Sequence, residues 1–174
     1  MEPSDPPPHA GPFPSSGRLA AVDYGSVRIG IALCDPERIL ISPFAVWQRS
    51  TEEKNAKYFA SLAREERIAG FIVGLPIHCD GGESDKSIEA RRFARWLQKL
   101  TKIPTRLFDE RFSTTLAKRR LQGLSLTKKQ LKGRIDAIAA QVLLEAFLEV
   151  QQYTGKIPGE APESLPAGGE SLEG

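Results

Sequence analysis

Cysteine is scarce. Cys34 and Cys79 are the two in a chain of 174 residues, too few for a disulfide scaffold, so a reducing, cytoplasmic setting is the expectation. Zinc ligands are equally thin, because His78 and Cys79 have no partners at metal spacing and read as loop. No apolar run approaches the roughly 18 residues that a membrane span requires, and the first residues lack the apolar core of a secretory signal. No membrane partner is expected. The length excludes two lobes of about 150 residues each. What is present, 40% hydrophobic and 26% charged residues, suits one domain able to bury most of its unfolded surface.

Charge is unevenly placed. Residues 1–17 hold six prolines and no basic side chain, and residues 155–174 hold three prolines, five glycines and four glutamates against one lysine. Neither end has a period of 2 or 3.6, so both read as disordered tails, Pro-rich at the head and acidic at the end. Residues 18–154 form the expected domain, with 23 basic and 16 acidic side chains. Within them, residues 86–134 carry 15 Lys and Arg against Glu89, Asp109 and Glu110. A field that lopsided attracts polyanions and points to nucleic acid as the partner.

The element order reads β-β-β-α-β-α-β-α. Residues 18–23 and 28–33 form a hairpin around Tyr24-Gly25-Ser26, and a third strand covers 39–41 and extends toward 47. Ser50 with Glu53 predicts a capping box opening a helix to about Arg67, ended by Gly70. Phe71-Ile72-Val73 is a strand. Phe93, Trp96, Leu97 and Leu100 give the stripe of a second helix, and Trp47 and Trp96 read as core or interface residues. A fifth strand follows Pro104 and runs to Glu110. Ser113 caps a helix to about Leu121, and Thr127 with Gln130 opens a last helix that breaks near Gly133. A meander followed by strand–helix alternation implies a mixed sheet with helices on both faces.

Acids stand at three places where chemistry is done. Asp23 ends an apolar strand, where open α/β sheets seat ligands, although Asp also favours plain turns. Asp109 and Glu110 end another strand, and alternation alone does not decide which faces a site. Arg111 and the hydroxyls Ser113, Thr114 and Thr115 follow, a combination suited to phosphate. Asp136 enters an apolar helix whose neighbours one turn on are Ala139 and Ala140, small enough for close approach to the sheet. Converging, the three could hold a divalent metal, Mg²⁺ or Mn²⁺, for phosphodiester cleavage. Lys128, Lys129, Lys132 and Arg134 precede Asp136 and could guide a phosphate backbone. Arg28 lies beside the Asp23 loop.

These residues resemble the YqgF/RuvX family. The resemblance is carried by Asp23-Tyr24-Gly25-Ser26-Val27-Arg28-Ile29-Gly30, by Val73-Gly74-Leu75-Pro76 with Asp80-Gly81, by Asp109-Glu110-Arg111-Phe112-Ser113-Thr114 and by Asp136-Ala137-Ile138-Ala139-Ala140. Four motifs in order, over about residues 18–150, are far more specific than any one. The resemblance implies a ribonuclease-H-like α/β fold with a five-stranded mixed sheet. It makes Asp23, Glu110 and Asp136 catalytic, metal-binding acids, and gives Arg111, Ser113 and Thr114 a role in holding phosphate or positioning Glu110. It also favours Arg28 as a phosphate ligand. Ser113 stands where the family usually has Thr, which keeps the hydroxyl.

The function that follows is a metal-dependent nuclease for structured nucleic acid, maturing the 5′ end of the 16S rRNA precursor. Cleavage of four-way DNA junctions is the alternative within the class, and a non-catalytic rRNA-binding assembly factor is the alternative outside it. An actin- or hexokinase-like phosphotransferase needs two such lobes and does not fit the length. Either a monomer or a homodimer is compatible with the sequence.

Overall fold

A computed structural model describes residues 11–77, 83–112 and 127–163, with the side chains of 112 and 128–132 outside that description. Five strands form one mixed sheet: β1 (Arg18–Tyr24), β2 (Arg28–Cys34), β3 (Ile41–Gln48), β4 (Ile68–Leu75) and β5 (Thr105–Asp109). Their order across the sheet is β3-β2-β1-β4-β5. β1, β2 and β3 pair antiparallel, whereas β1–β4 and β4–β5 are parallel. Helices α1 (Glu52–Glu65) and α2 (Asp85–Thr101) cover one face and α3 (Lys128–Thr154) the other.

Alternation along the strands divides the core in two. Ala20 and Val22 join Ile29, Ile31, Phe71 and Val73 beneath Phe59 of α1 and Phe93 and Leu97 of α2. Leu19 and Ala21 turn the other way, with Ile72 and Phe108, onto Leu143, Leu144 and Phe147 of α3. β1 and β4 are buried on both faces, which is why they read as continuous apolar runs rather than alternating ones. Trp47 is half-buried as expected, stacked on Tyr58 at 4.0 Å, and its indole N–H donates to Asn55 Oδ1 at 2.8 Å.

Several element ends differ from the sequence expectation. The N-cap of α1 is Thr51, whose hydroxyl accepts from the Lys54 N–H at 3.3 Å. Ser50 is instead tied by Asn55, which accepts from its N–H at 3.0 Å and donates to its carbonyl at 3.1 Å. The helix stops at Glu65 and the chain reverses through Arg67, at φ 51°, so Gly70 lies inside β4. α3 continues through Gly133. One glycine costs a helix about 1 kcal/mol relative to alanine, which 27 residues anchored by an apolar face absorb. The helix expected from Ser113 and the Gln130 side chain of the second capping box lie outside the described residues.

The packed structure also extends past residues 18 and 154. Phe13 packs on Phe147 with ring centroids 5.7 Å apart, and Arg38 donates to the Pro14 and Gly17 carbonyls, each at 2.9 Å. At the other end, Leu107 and Glu160 exchange backbone hydrogen bonds of 2.8 and 2.9 Å along the outer edge of β5. Arg91 grips Glu160 at 2.7 Å and Glu83 at 2.6 Å, while Arg95 and Arg106 donate to the carbonyls of Pro162 and Pro158. This segment has no apolar period to reveal it. It is held by three arginines of the basic run, two reaching its backbone and Arg91 its Glu160 carboxylate.

Candidate active site

The acids meet because of strand parity. Asp23 continues the series Leu19, Ala21 and so belongs to the α3 face of the sheet. Its register partner on β2 is Gly30. A Cβ on Gly30 would overlap the Asp136 carbonyl and come within 2.8 Å of the Ala137 nitrogen. The backbone of α3 therefore rests directly on Gly30, and this contact carries Asp136 over the end of β1. From the other side, Phe108 of β5 faces α3, and Glu110, two residues on in a single 3₁₀ turn (Glu110–Phe112), shares its side. Gly74 of β4, the register partner of Phe108, clears the space that Glu110 fills. A Cβ there would overlap Glu110 Oε1 and stand 2.9 Å from its Cγ.

The two adjacent acids thus separate. Glu110 lines the cleft, whereas Asp109 accepts the Arg111 guanidinium, Nε at 2.9 Å and Nη2 at 2.6 Å, and the Arg111 backbone N–H at 2.9 Å. Asp23, Glu110 and Asp136 share one open cleft of about 450 Å³. The loop Tyr24 to Arg28 forms one wall, and Pro76 with Lys86 and Glu89 of α2 forms the other. Arg28 Nε donates to Asp136 Oδ2 at 2.9 Å.

Burial and like charge make this an unusual carboxyl cluster. Glu110 is pushed up to about 8, first by burial and then by the Asp23 charge, with Lys86 acting in the opposite direction. Burial, and then Asp136, also raise Asp23, against a hydrogen bond from Glu110. Both shifts favour a proton on the pair, and the hydrogen bond between them lowers Asp23 while raising Glu110. Among the described residues no three His, Cys, Asp or Glu side chains stand in a ready-made metal-ligand arrangement. As they stand, a hydrogen bond links Asp23 to Glu110, and Arg28 holds Asp136. The donor chemistry nonetheless fits a hard dication, since three carboxylates line one cleft with few cations facing them.

The other sequence-predicted residues are distributed differently. Arg111 is turned to Asp109 rather than into the cleft. Arg134 lies on another groove, against Pro43 to Val46 of β3, away from the acids. Ser113 and Thr114, and the side chains of Lys128, Lys129 and Lys132, are outside the described residues. Two contributors went unmarked in the sequence. Lys86 reaches the cleft because α2 starts there, capped by Ser84, whose hydroxyl accepts from the Ser87 N–H at 3.3 Å. That Ser84/Ser87 box was the available signal. Arg49 props the cleft loop from outside, donating to the Ser26 carbonyl at 2.8 Å with its guanidinium 4.7 Å above the Tyr24 ring.

The model of the RuvX family, described as Holliday junction resolvase, matches residues 17–150. The chain belongs to this family. A protein of Rhodopirellula baltica named "Putative pre-16S rRNA nuclease" is 59% identical over 151 residues, 87% of either chain. An Anaeromyxobacter protein of the same name is 38% identical over 132 residues, 76% of this chain and 96% of its own. Among solved structures, Thermus thermophilus RuvC in complex with a Holliday junction substrate superposes with a TM-score of 0.56 over 83% of this chain and 99% of that one. At 12% identity that likeness is one of fold. The expected five-stranded ribonuclease-H-like α/β architecture is the one observed. No helix among the described residues of this RuvX-family chain is long and apolar enough to cross a membrane.

Proposed function

We propose that this chain is a metal-dependent nuclease that hydrolyses phosphodiester bonds in structured nucleic acid, and that it matures the 5′ end of the 16S rRNA precursor in the cytoplasm. One observation carries the reading. Carboxylates from β1, from the end of β5 and from α3 line a single cleft, placed there by Gly30 and Gly74. Asp23, Glu110 and Asp136 would hold Mg²⁺ or Mn²⁺, which when bound supplies charge neutralisation at the phosphate and an activated water.

The chain's own residues do the rest. Arg28 and Lys86 flank the acids and offer positive charge to a phosphodiester entering the cleft. Arg28 also fixes the Asp136 carboxylate. Arg111 acts through Asp109, bracing the turn that presents Glu110. In sequence, Ser113 and Thr114 follow Glu110, and Lys128 and Lys129 precede Asp136, residue types suited to contacts with phosphate. The names of the relatives favour the rRNA precursor over a DNA junction.

The test is to incubate the purified protein with labelled 16S rRNA precursor and with a four-way DNA junction, each with Mg²⁺, Mn²⁺ or EDTA. Metal-dependent shortening of the RNA at its 5′ end, lost in Asp23→Asn, Glu110→Gln and Asp136→Asn, is expected. Unchanged processing in all three variants refutes the reading. Bound but uncut RNA throughout would instead support an assembly factor.

A further inference from the structure

A second groove of about 420 Å³ opens beside the acidic cleft, and Tyr24 and Glu89 line both. Its floor is aromatic. Tyr24 stacks on Phe93 with centroids 4.4 Å apart, and Phe93 meets Trp96 at 5.5 Å. The Arg49 guanidinium lies over the Tyr24 ring at the same end. Asn55 in the opposite wall is fully engaged with Ser50 and Trp47, so that side is fixed.

Four groups around the rim are unspent. Among the described residues, the Trp96 indole N–H and the Arg92 guanidinium meet no acceptor, and Glu52 and Glu89 carry no ion pair. Two arginines against two glutamates leave the groove without a dominant charge, unlike a phosphate seat. A flat, uncharged heterocycle with donors and acceptors on its edge matches such a lining. Unpaired bases are held in this way, stacked on aromatic rings or guanidinium planes and hydrogen-bonded along their edges.

We infer that this groove receives a single unpaired nucleobase of the substrate, held out of its stack next to the phosphodiester seated at the acids. The inference rests on the nucleic-acid reading of the neighbouring cleft and narrows it. The substrate carries an unpaired nucleotide close to the cleaved bond, and a continuous duplex lacks the group this groove takes. Arg92 and Trp96 then act in recognition rather than in chemistry.

The experiment uses the full chain and three labelled RNA duplexes in EDTA, so that no turnover intervenes. One is fully paired, one has a single bulged nucleotide, and one has the same bulge made abasic. Binding is followed by fluorescence anisotropy. The bulged duplex should bind about tenfold more tightly than its abasic counterpart, the effect of stacking one base. Arg92→Ala and Trp96→Phe, checked for folding by circular dichroism, should bring that ratio close to one; affinity for the abasic duplex should stay unchanged in Trp96→Phe and fall only by the loss of one cation in Arg92→Ala. Asp136→Asn should keep the ratio. Equal binding of bulged and abasic duplexes, or an undiminished ratio in both groove variants, overturns the inference and leaves the nuclease reading standing. Failure to bind any of the three, in EDTA and again with Mg²⁺, overturns the nucleic-acid reading and this inference with it.

Discussion

Glu110 is a stability liability built into the site, and its pH dependence can be worked out. Its ordinary carboxyl value is 4.5, and in the folded protein it is pushed up to about 8 by burial and by Asp23. Between those values the folded state keeps a proton that the unfolded chain has released. The Glu110 contribution to stability is therefore fully present below pH 4.5, falls as pH rises through the window from about 4.5 to 8, and is lost above it. At 1.36 kcal/mol per pH unit the full width of that window corresponds to about 5 kcal/mol. Water at the open mouth of the cleft screens part of this, leaving on the order of 3 kcal/mol.

Glu110→Gln removes the ionisation while keeping an N–H donor for Asp23. The measurement is urea unfolding of the protein and the variant in EDTA, followed by circular dichroism at pH 5, 7 and 8.5. The parent protein should lose about 3 kcal/mol more than the variant between the two extremes, so the variant is the more stable at pH 8.5 and without nuclease activity. Parallel stability profiles for the two proteins would show that the buried carboxyl pair does not exist as described.

Other expectations follow from neighbouring contacts. Gly30→Ala drives a methyl into the α3 backbone at Asp136 and should lower stability by about 1–3 kcal/mol, read by thermal unfolding, with cleavage abolished. Gly74→Ala displaces only the Glu110 side chain, so activity should fall by at least tenfold with a smaller loss of stability. Arg28→Ala removes both the Asp136 partner and a cleft cation, and should weaken RNA binding and flatten its salt dependence by about one counterion. Glu160→Ala takes one of two carboxylates from the buried Arg91, and about 1–2 kcal/mol of stability should go with it, measured by urea unfolding.

What the sequence disclosed and what it withheld have a common physical basis. Apolar runs and periodic stripes report burial, so the sheet, the stripe of α2 and the two-faced core were legible, and so were Asp23 and Asp136 as acids out of place in apolar elements. Choices among polar groups were not legible from burial patterns, and only the family resemblance singled out Glu110. Whether Asp109 or Glu110 enters the cleft depends on Arg111 capturing one of them and on Gly74 making room for the other, and both are tertiary facts. The basic run is a coarse guide for the same reason. Its charge is not all free for a polyanion: among the described residues, Arg91, Arg95 and Arg106 bind residues 158–162, whereas Lys86 and Arg92 stand beside the grooves. A net charge counts side chains, and only packing tells which of them are already engaged. The glycines carry the converse lesson. Gly30 and Gly74 have no chemistry of their own, but each admits a neighbour that alanine would exclude. The meeting of three carboxylates from distant parts of the chain rests on those two missing methyl groups as much as on the acids themselves.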